Sequence, residues 1–214
     1  MPRVVIVDDH PVSRDGLAIR IAREPDLEVC GEAADIADAL QVIDDSKPDI
    51  AIIDVSLETG NGIELVKEVK NRFPNVRMLV WSMYDESLYA SRAIQAGAQG
   101  YINKKNVRET IIVAIRTVLE GNIYLSAEYS SKLLSGIARN NNHAVQLPSD
   151  TLTDRELEAF SLIGQGLKTA EIAERMELTQ STVETYRSRI KEKLQLKHAA
   201  ELVREATCWV LSNS

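Results

Sequence analysis

Val4-Val5-Ile6-Val7-Asp8-Asp9 and Ile50-Ala51-Ile52-Ile53-Asp54 decide how the first half of this chain reads. Each is a short apolar run, rich in β-branched residues, closed by a carboxylate. A run with no polar alternation marks a strand covered on both faces, as in a parallel sheet between helical layers. Working outward, Glu28–Gly31, Arg77–Trp81 and Gln99–Ile102 join Arg3–Val7 and Ile50–Asp54 as expected strands. Helix-period patterns lie between and after them. They are Leu17, Ile21 and Ala22; Ala34, Ala37, Leu40, Val42 and Ile43; Ile63, Leu65, Val66 and Val69; Ala90, Ala93 and Ile94; and Ile112, Ala114, Ile115 and Leu119. Strand and helix in strict alternation predict an α/β doubly wound five-stranded parallel sheet over residues 1–121.

Residues 122–150 read as a helix, Leu125–Ile137, and a flexible linker, Ala138–Asp150, with Asn140-Asn141-Asn142, Pro148 and Ser149. From 151 to 214 the strand signal disappears. Short helices are expected at about 154–165, 169–176, 180–195 and 198–211. Thr153, Thr169 and Gln180 or Ser181 sit near helix starts, and Thr153-Asp154-Arg155-Glu156 fits a capping box. The second half is therefore expected to be an all-α domain of about four helices.

With 214 residues there is room for two small domains, and 44% hydrophobic residues exclude wholesale disorder. No apolar run approaches the ~18 residues of a membrane span. Met1-Pro2-Arg3 is followed too soon by Asp8-Asp9 for a secretory leader, so a cytoplasmic location is expected. Cys30 and Cys208 lie far apart and are expected to be buried small apolar groups, not a disulfide or a zinc site. The net charge of −7 argues at first sight against nucleic acid. Its distribution matters more: residues 1–121 carry −6 and residues 151–214 only −1. Arg187, Arg189, Lys191, Lys193 and Lys197 are opposed only by Glu192 within their stretch, a local basic stripe suited to phosphate.

In a doubly wound sheet, ligands bind outside the carboxyl ends of the strands. Asp8 and Asp9 end the first strand, Asp54 the third and Ser82 the fourth, and Lys104 follows the fifth. Three carboxylates in one pocket repel unless a cation sits among them, and Mg²⁺ prefers carboxylate oxygens and water. A carboxylate can also act as nucleophile and form an aspartyl-phosphate. Phosphoryl transfer then needs positive charge on the equatorial oxygens, which a metal ion and a lysine supply. Singly, each of these residues has an ordinary structural role; together at successive strand ends they point to chemistry.

These stretches resemble the receiver domain of response regulators: Val5-Ile6-Val7-Asp8-Asp9-His10-Pro11, Ile53–Leu57 running to Asn61-Gly62, and Gly100-Tyr101-Ile102-Asn103-Lys104. The resemblance implies Asp54 as phosphoacceptor, with Asp8, Asp9, Asp54 and the Ser56 carbonyl as Mg²⁺ ligands. It implies that Lys104 pairs with the phosphoryl group. Ser82 and Tyr101 become a switch pair, the hydroxyl moving toward the phosphoryl group as the ring turns inward. One departure is Glu58, where the family often has proline, leaving Gly60 and Gly62 to supply the turns after Asp54.

Thr169–Met176, the turn Glu177-Leu178-Thr179 and Gln180–Leu194 have the layout of a helix-turn-helix. Ile172, Ala173 and Met176 are expected to pack inward from the first helix, and Val183, Ile190 and Leu194 from the second. From the residues alone, a four-helix domain with a solvated charged face reads equally well. Leu152–Glu156, Gly164–Leu167, Glu171–Ala173, Ser181–Val183 and Leu194–Lys197 resemble the LuxR/GerE-type DNA-binding domain, and the whole chain resembles a NarL/FixJ-type response regulator. That resemblance implies groove contacts from Thr182, Glu184, Thr185 and Arg189. It implies phosphate contacts from Lys168, Thr169, Tyr186, Arg187, Lys191 and Lys193. Glu184 stands where the family usually has lysine; a carboxylate there can accept from cytosine N4 or face away from the groove.

The last helix, His198–Val210, is expected both to close the small domain's core and to pair two copies on DNA. The implied function is that of a two-component response regulator, not an enzyme, whose partners are a sensor histidine kinase, double-stranded DNA and a second copy of itself. Three rivals fit parts of the chain. They are a phosphatase with an aspartyl nucleophile, a DNA-binding protein whose receiver only dimerises, and a module that binds protein in place of DNA.

Overall fold

A computed structural model describes residues 1–57, 60–131, 151–176 and 178–212. The chain divides between residues 139 and 140 into two compact units.

In the first unit, β1 (Arg3–Val7), β2 (Glu28–Ala33), β3 (Ile50–Ile53), β6 (Arg77–Ser82) and β7 (Gly100–Asn103) form one sheet in the order β2-β1-β3-β6-β7. Every neighbouring pair is parallel, as the apolar runs predict. Helices α1 (Pro11–Ile21), α2 (Ile36–Ser46), α3 (Gly62–Arg72), α4 (Glu86–Ala96) and α5 (Val107–Leu119) alternate with the strands. Val4–Val7 and Ile50–Ile53 are fully buried, as strands covered on both faces must be. Leu17, Ile21, Ala114, Ile115 and Val118 pack against Ile6, Ile52, Leu79 and Trp81 to form the core between α1, α5 and the sheet.

The register explains the site. Val7 pairs with Ile53, Ile53 with Val80, and Ser82 with Asn103. The residues that follow or end these strands, Asp8, Asp54, Ser82 and Lys104, are thereby brought to one edge.

Several helix-face expectations need correction. Ala22 is the exposed C-cap of α1, not part of its inner face. Ala34 precedes α2, and Ala37 is exposed; the buried face of α2 is Ala39, Leu40 and Ile43. Asp35 sets that start, its carboxylate accepting from the Asp38 N–H. An alanine-rich stretch carries too little hydrophobic contrast to show its inner face.

Between β3 and α3, β4 (Ser56–Leu57) and β5 (Gly60–Asn61) form a short antiparallel pair. Glu58 lies outside the described residues. Gly62 does not have a positive φ. Gly62 is needed for space: a Cβ there would lie 1.8 Å from the Asp54 carbonyl oxygen. Its N–H donates to Val55 O at 2.9 Å and holds the loop after Asp54 against the start of α3. The expected helix Leu125–Ile137 is described only through residue 131, where 127–131 are helical; the expected linker lies outside the described residues.

The second unit contains α6 (Asp154–Gly164), α7 (Thr169–Arg175), α8 (Gln180–Lys193) and α9 (Ala199–Ser212). The capping box at α6 is present, with Glu156 accepting from the Thr153 N–H at 2.8 Å and Thr153 Oγ1 from the Glu156 N–H at 3.4 Å. At α7 the cap position is Lys168, whose backbone N–H donates to Glu171, and Thr169 is the first helical residue. At α8 the cap is Thr179, and Gln180 and Ser181 are the first helical residues, as expected. Leu157, Phe160, Ile172, Val183, Ile190, Leu202 and Ala206 form the core, and Trp209 packs on Phe160 with ring centroids 5.5 Å apart. Gly164 lets α6 and α9 approach closely, since a Cβ there would lie 2.3 Å from Ala206 O. The expectation of two buried cysteines fails: Cys208 is exposed on α9, and Cys30 is half-buried.

Candidate functional site

The residues at the strand ends meet in a pocket. Asp8 and Asp54 are 0% and 2% exposed. The Lys104 ammonium donates to Asp8 Oδ2 at 2.7 Å and to Asp54 Oδ2 at 2.5 Å, bridging carboxylates that lie far apart in sequence. Asp8 is held further by the His10 N–H at 2.9 Å and Ser13 Oγ at 2.6 Å, both from the start of α1. Asp54 is anchored by its own N–H to Val7 O at 2.8 Å, and its Oδ1 accepts from the Ser56 N–H at 3.3 Å. Burial pushes the Asp54 carboxyl above the usual carboxylate range; the Lys104 ammonium opposes this shift and the Asp8 charge adds to it.

Asp9 points to what else belongs here. Its Oδ1 is buried and has no hydrogen-bond donor, although it lies 2.6 Å from His10 Nδ1. Ligand atoms of Asp8, Asp9, His10 and Asp54 all lie within 4.8 Å of one another. Three carboxylates face one ammonium, and one buried oxygen lacks a donor. This donor set fits a divalent cation. His10 was not among the expected ligands; it directly follows the acidic pair, but its role as helix-start residue hides it in the sequence.

Ser82 is fully buried, its Oγ accepting from the Tyr84 N–H at 3.3 Å. Tyr101 is fully buried too, although β7 is an edge strand. Its hydroxyl donates to Tyr84 O at 3.0 Å, and Asn103 Nδ2 donates to the same carbonyl at 2.8 Å. Burial raises the Tyr101 phenol well above its ordinary value, and the Ser82 hydroxyl opposes the rise. It is therefore a neutral donor at physiological pH. Tyr84, missed in the sequence, ties the two loops together: its hydroxyl lies 3.1 Å from Ser56 Oγ, and its ring stacks on Tyr89 at 4.8 Å.

In the second unit, α7 and α8 form the expected pair. Ile172, Ala173, Met176, Val183 and Ile190 are buried, while Leu194 is only half-buried. Lys168, Glu184, Thr185 and Arg189 are exposed; Thr169, Thr182, Tyr186 and Lys191 are half-buried. Glu184 does not stand free, because it accepts from Thr169 Oγ1 at 2.8 Å and lies 3.8 Å from Arg187 Nε. The Arg187 side chain is only 17% exposed. Lys193 is engaged inward: its ammonium donates to Glu156 Oε2 at 2.6 Å and ties α8 to α6. Burial works to raise the Glu156 carboxyl, but Lys193 and the Thr153 N–H outweigh it and hold the group below the usual range. On α9, Leu202, Ala206 and Trp209 face the core, while Val203 and Leu211 are exposed.

The sheet with an acidic pocket at its carboxyl edge, joined to a helix-turn-helix unit, defines a class. The chain matches the response regulator receiver domain over residues 4–116 and the luxR family of bacterial regulatory proteins over residues 150–206. It belongs to the two-component response regulators with a LuxR-type DNA-binding domain, a family of transcription regulators. Among its relatives, the oxygen regulatory protein NreC of Staphylococcus aureus (strain MRSA252) is 35% identical over 208 residues, covering 95% of this chain and 96% of the relative. A LuxR-family two-component response regulator from Aurantimonas sp. SI85-9A1 is 30% identical with a TM-score of 0.61, over 64% of this chain and 99% of that one. RcsB from Salmonella enterica serovar Typhimurium, solved bound to promoter rprA with the phosphomimetic BeF3-, shares the fold. It is 22% identical with a TM-score of 0.60, over 96% of this chain and 98% of that one. Among the described residues, no helix is long and apolar enough to cross a membrane.

Proposed function

We propose that Asp54 accepts a phosphoryl group from a sensor histidine kinase, and that its phosphorylation controls sequence-specific DNA binding by the second unit. The observation that carries this reading is the Lys104 ammonium held between the buried Asp8 and Asp54 carboxylates. An Asp54 oxygen forms the new P–O bond as the P–N bond of phosphohistidine breaks, and the departing imidazole nitrogen keeps the electron pair. Lys104 passes from Asp54 Oδ2 to a phosphoryl oxygen. Mg²⁺, held by the carboxylates of Asp8, Asp9 and Asp54 with the Ser56 carbonyl, supplies positive charge for the equatorial oxygens when bound. Ser82 Oγ turns from the Tyr84 N–H toward the phosphoryl group. The Tyr101 ring is buried with its hydroxyl on Tyr84 O, and the signal acts by stabilising this inward arrangement.

On the DNA side, Thr182, Glu184, Thr185 and Arg189 meet the groove, and Lys168, Thr169, Tyr186, Arg187 and Lys191 meet phosphates. Lys193 contributes mainly through Glu156. Two copies pair on DNA through the exposed side of His198–Val210. The test is intact mass after incubation with acetyl phosphate and Mg²⁺. Wild type gains one phosphoryl group, and Asp54→Asn or added chelator abolishes the gain. Uptake that persists in Asp54→Asn sinks the assignment.

A further inference from the structure

Trp81 precedes Ser82 in β6 and pairs with Ile102 of β7. Its side chain belongs to the core between the sheet, α1 and α5. The residue is 6% exposed, yet its indole N–H is buried with no hydrogen-bond acceptor. An unpaired buried donor is unfavourable, and phenylalanine would bring an aromatic face to the same strand without that cost. The indole does have one polar neighbour. The Lys104 ammonium lies 4.9 Å from its ring centroid, on a side chain only 8% exposed. Both groups line a groove of about 370 Å³ beside α1, together with Val12, Gly16, Arg20 and Met83.

The ammonium therefore has three partners: two carboxylates and one π face. The carboxylates present a difficulty for the chemistry. Asp54 Oδ2 accepts from Lys104 at 2.5 Å, and Asp54 must free oxygen lone pairs to attack phosphorus. As Lys104 leaves Asp54 it gives up an ion pair in a site with little water. A ring face attracts a cation but has no lone pair in the donor's path, so it does not compete with the phosphoryl oxygens for the ammonium hydrogens. Of the aromatic side chains, indole offers the strongest such face, and the attraction grows when the cation is desolvated.

We propose that Trp81 is a positioning residue for Lys104, its indole face keeping the ammonium in the pocket while Asp54 releases it to the incoming phosphoryl group. This rests on the reading of Asp54 as phosphoacceptor and Lys104 as its partner.

Two measurements on the full chain test it, using wild type, Trp81→Phe and Trp81→Leu. The first is the NMR shift of the Lys104 ε-methylene protons, assigned by their disappearance in Lys104→Met. Ring current from Trp81 moves them upfield in wild type and less far in Trp81→Phe, and Trp81→Leu returns them to the ordinary lysine position. The second is the rate of phosphoryl uptake from acetyl phosphate with Mg²⁺. At saturating donor, Trp81→Leu slows uptake by about tenfold and Trp81→Phe by no more than about threefold, in keeping with a desolvated cation–π contact. A wild-type Lys104 signal at the ordinary position overturns the proposal. So does a Trp81→Leu rate equal to wild type, or a Trp81→Phe rate as low as that of Trp81→Leu. If Trp81→Leu does not fold, equal Lys104 shifts in wild type and Trp81→Phe overturn it instead. Failure of the underlying reading looks different: wild type takes up no phosphoryl group, or Lys104→Met takes it up normally, whatever the ring-current shift.

Discussion

The two candidate sites of this chain keep their charges in opposite ways. In the receiver unit, Asp8, Asp54 and Lys104 are buried and satisfy one another. In the helix-turn-helix unit, Lys168 and Arg189 stand exposed, while Lys193 bonds to Glu156 and Glu184 to Thr169, contacts that tie helices of the small domain together. A buried charged cluster is coupled, so removing one member strands the others. An exposed stripe is a set of nearly independent charges, each worth little until a polyanion arrives. One site therefore acts as a unit and the other in increments.

The largest test of that contrast is Lys104→Met. It leaves Asp8 and Asp54 buried against each other, and without divalent cation the receiver loses about 3–5 kcal/mol of stability. Denaturant unfolding with chelator should show the loss, and Mg²⁺ should restore much of it. Equal stability of variant and wild type in chelator would mean that the cluster is not coupled.

Gly164→Ala comes next. Its Cβ would press on the Ala206 carbonyl, destabilising the second unit by about 1–3 kcal/mol. Phosphoryl uptake at Asp54 should stay at the wild-type rate. A slowed uptake would show that the units are less separable than their cores suggest.

Glu156→Gln has a smaller effect, of about 1 kcal/mol at neutral pH. The folded-state carboxyl titrates below its ordinary range, so its ionised form is preferred in the fold. Its contribution is present above the ordinary glutamate range and is lost as pH falls through the lowered folded value. The melting difference between Glu156→Gln and wild type should thus shrink on acidification. A difference that grows toward acid pH would contradict the Lys193–Glu156 pairing.

The smallest and sharpest comparison sets Lys191→Ala against Lys193→Ala in DNA binding at several salt concentrations. Loss of a phosphate contact lowers the slope of log affinity on log salt by about 0.9. Lys191→Ala should show that change. Lys193→Ala should leave the slope nearly unchanged and lower the melting temperature instead. The reverse pattern would return Lys193 to the phosphate-contacting set.

Much of the receiver pocket was legible because topology does the work. Once Val4–Val7 and Ile50–Ile53 read as parallel strands, their following residues must share one edge, so Asp8, Asp54 and Lys104 could be placed together from sequence. His10 and Tyr84 could not. His10 reads as part of a helix start, and Tyr84 sits in a loop whose path depends on the Ser82 and Tyr101 contacts. In the second unit the helices were visible from their apolar period and the Thr153 cap. Lys193 is an expected phosphate contact only through the family resemblance, and periodicity adds no more than that it leaves the apolar face. A long lysine stem can still reach back to a carboxylate on a neighbouring helix, as it does to Glu156.

The sequence by itself determined the strand–helix alternation, the acidic strand ends, the two-part organisation and the family. These follow from hydrophobic period and from motifs whose spacing is local. Only the tertiary structure decided that Tyr101 lies inward, that Glu184 binds Thr169, that Trp81 faces the Lys104 ammonium, and that Gly62 and Gly164 are required for space. Those facts depend on which side chains meet across elements distant in sequence, and distances across a packed core are set by the whole fold, not by any one segment of it.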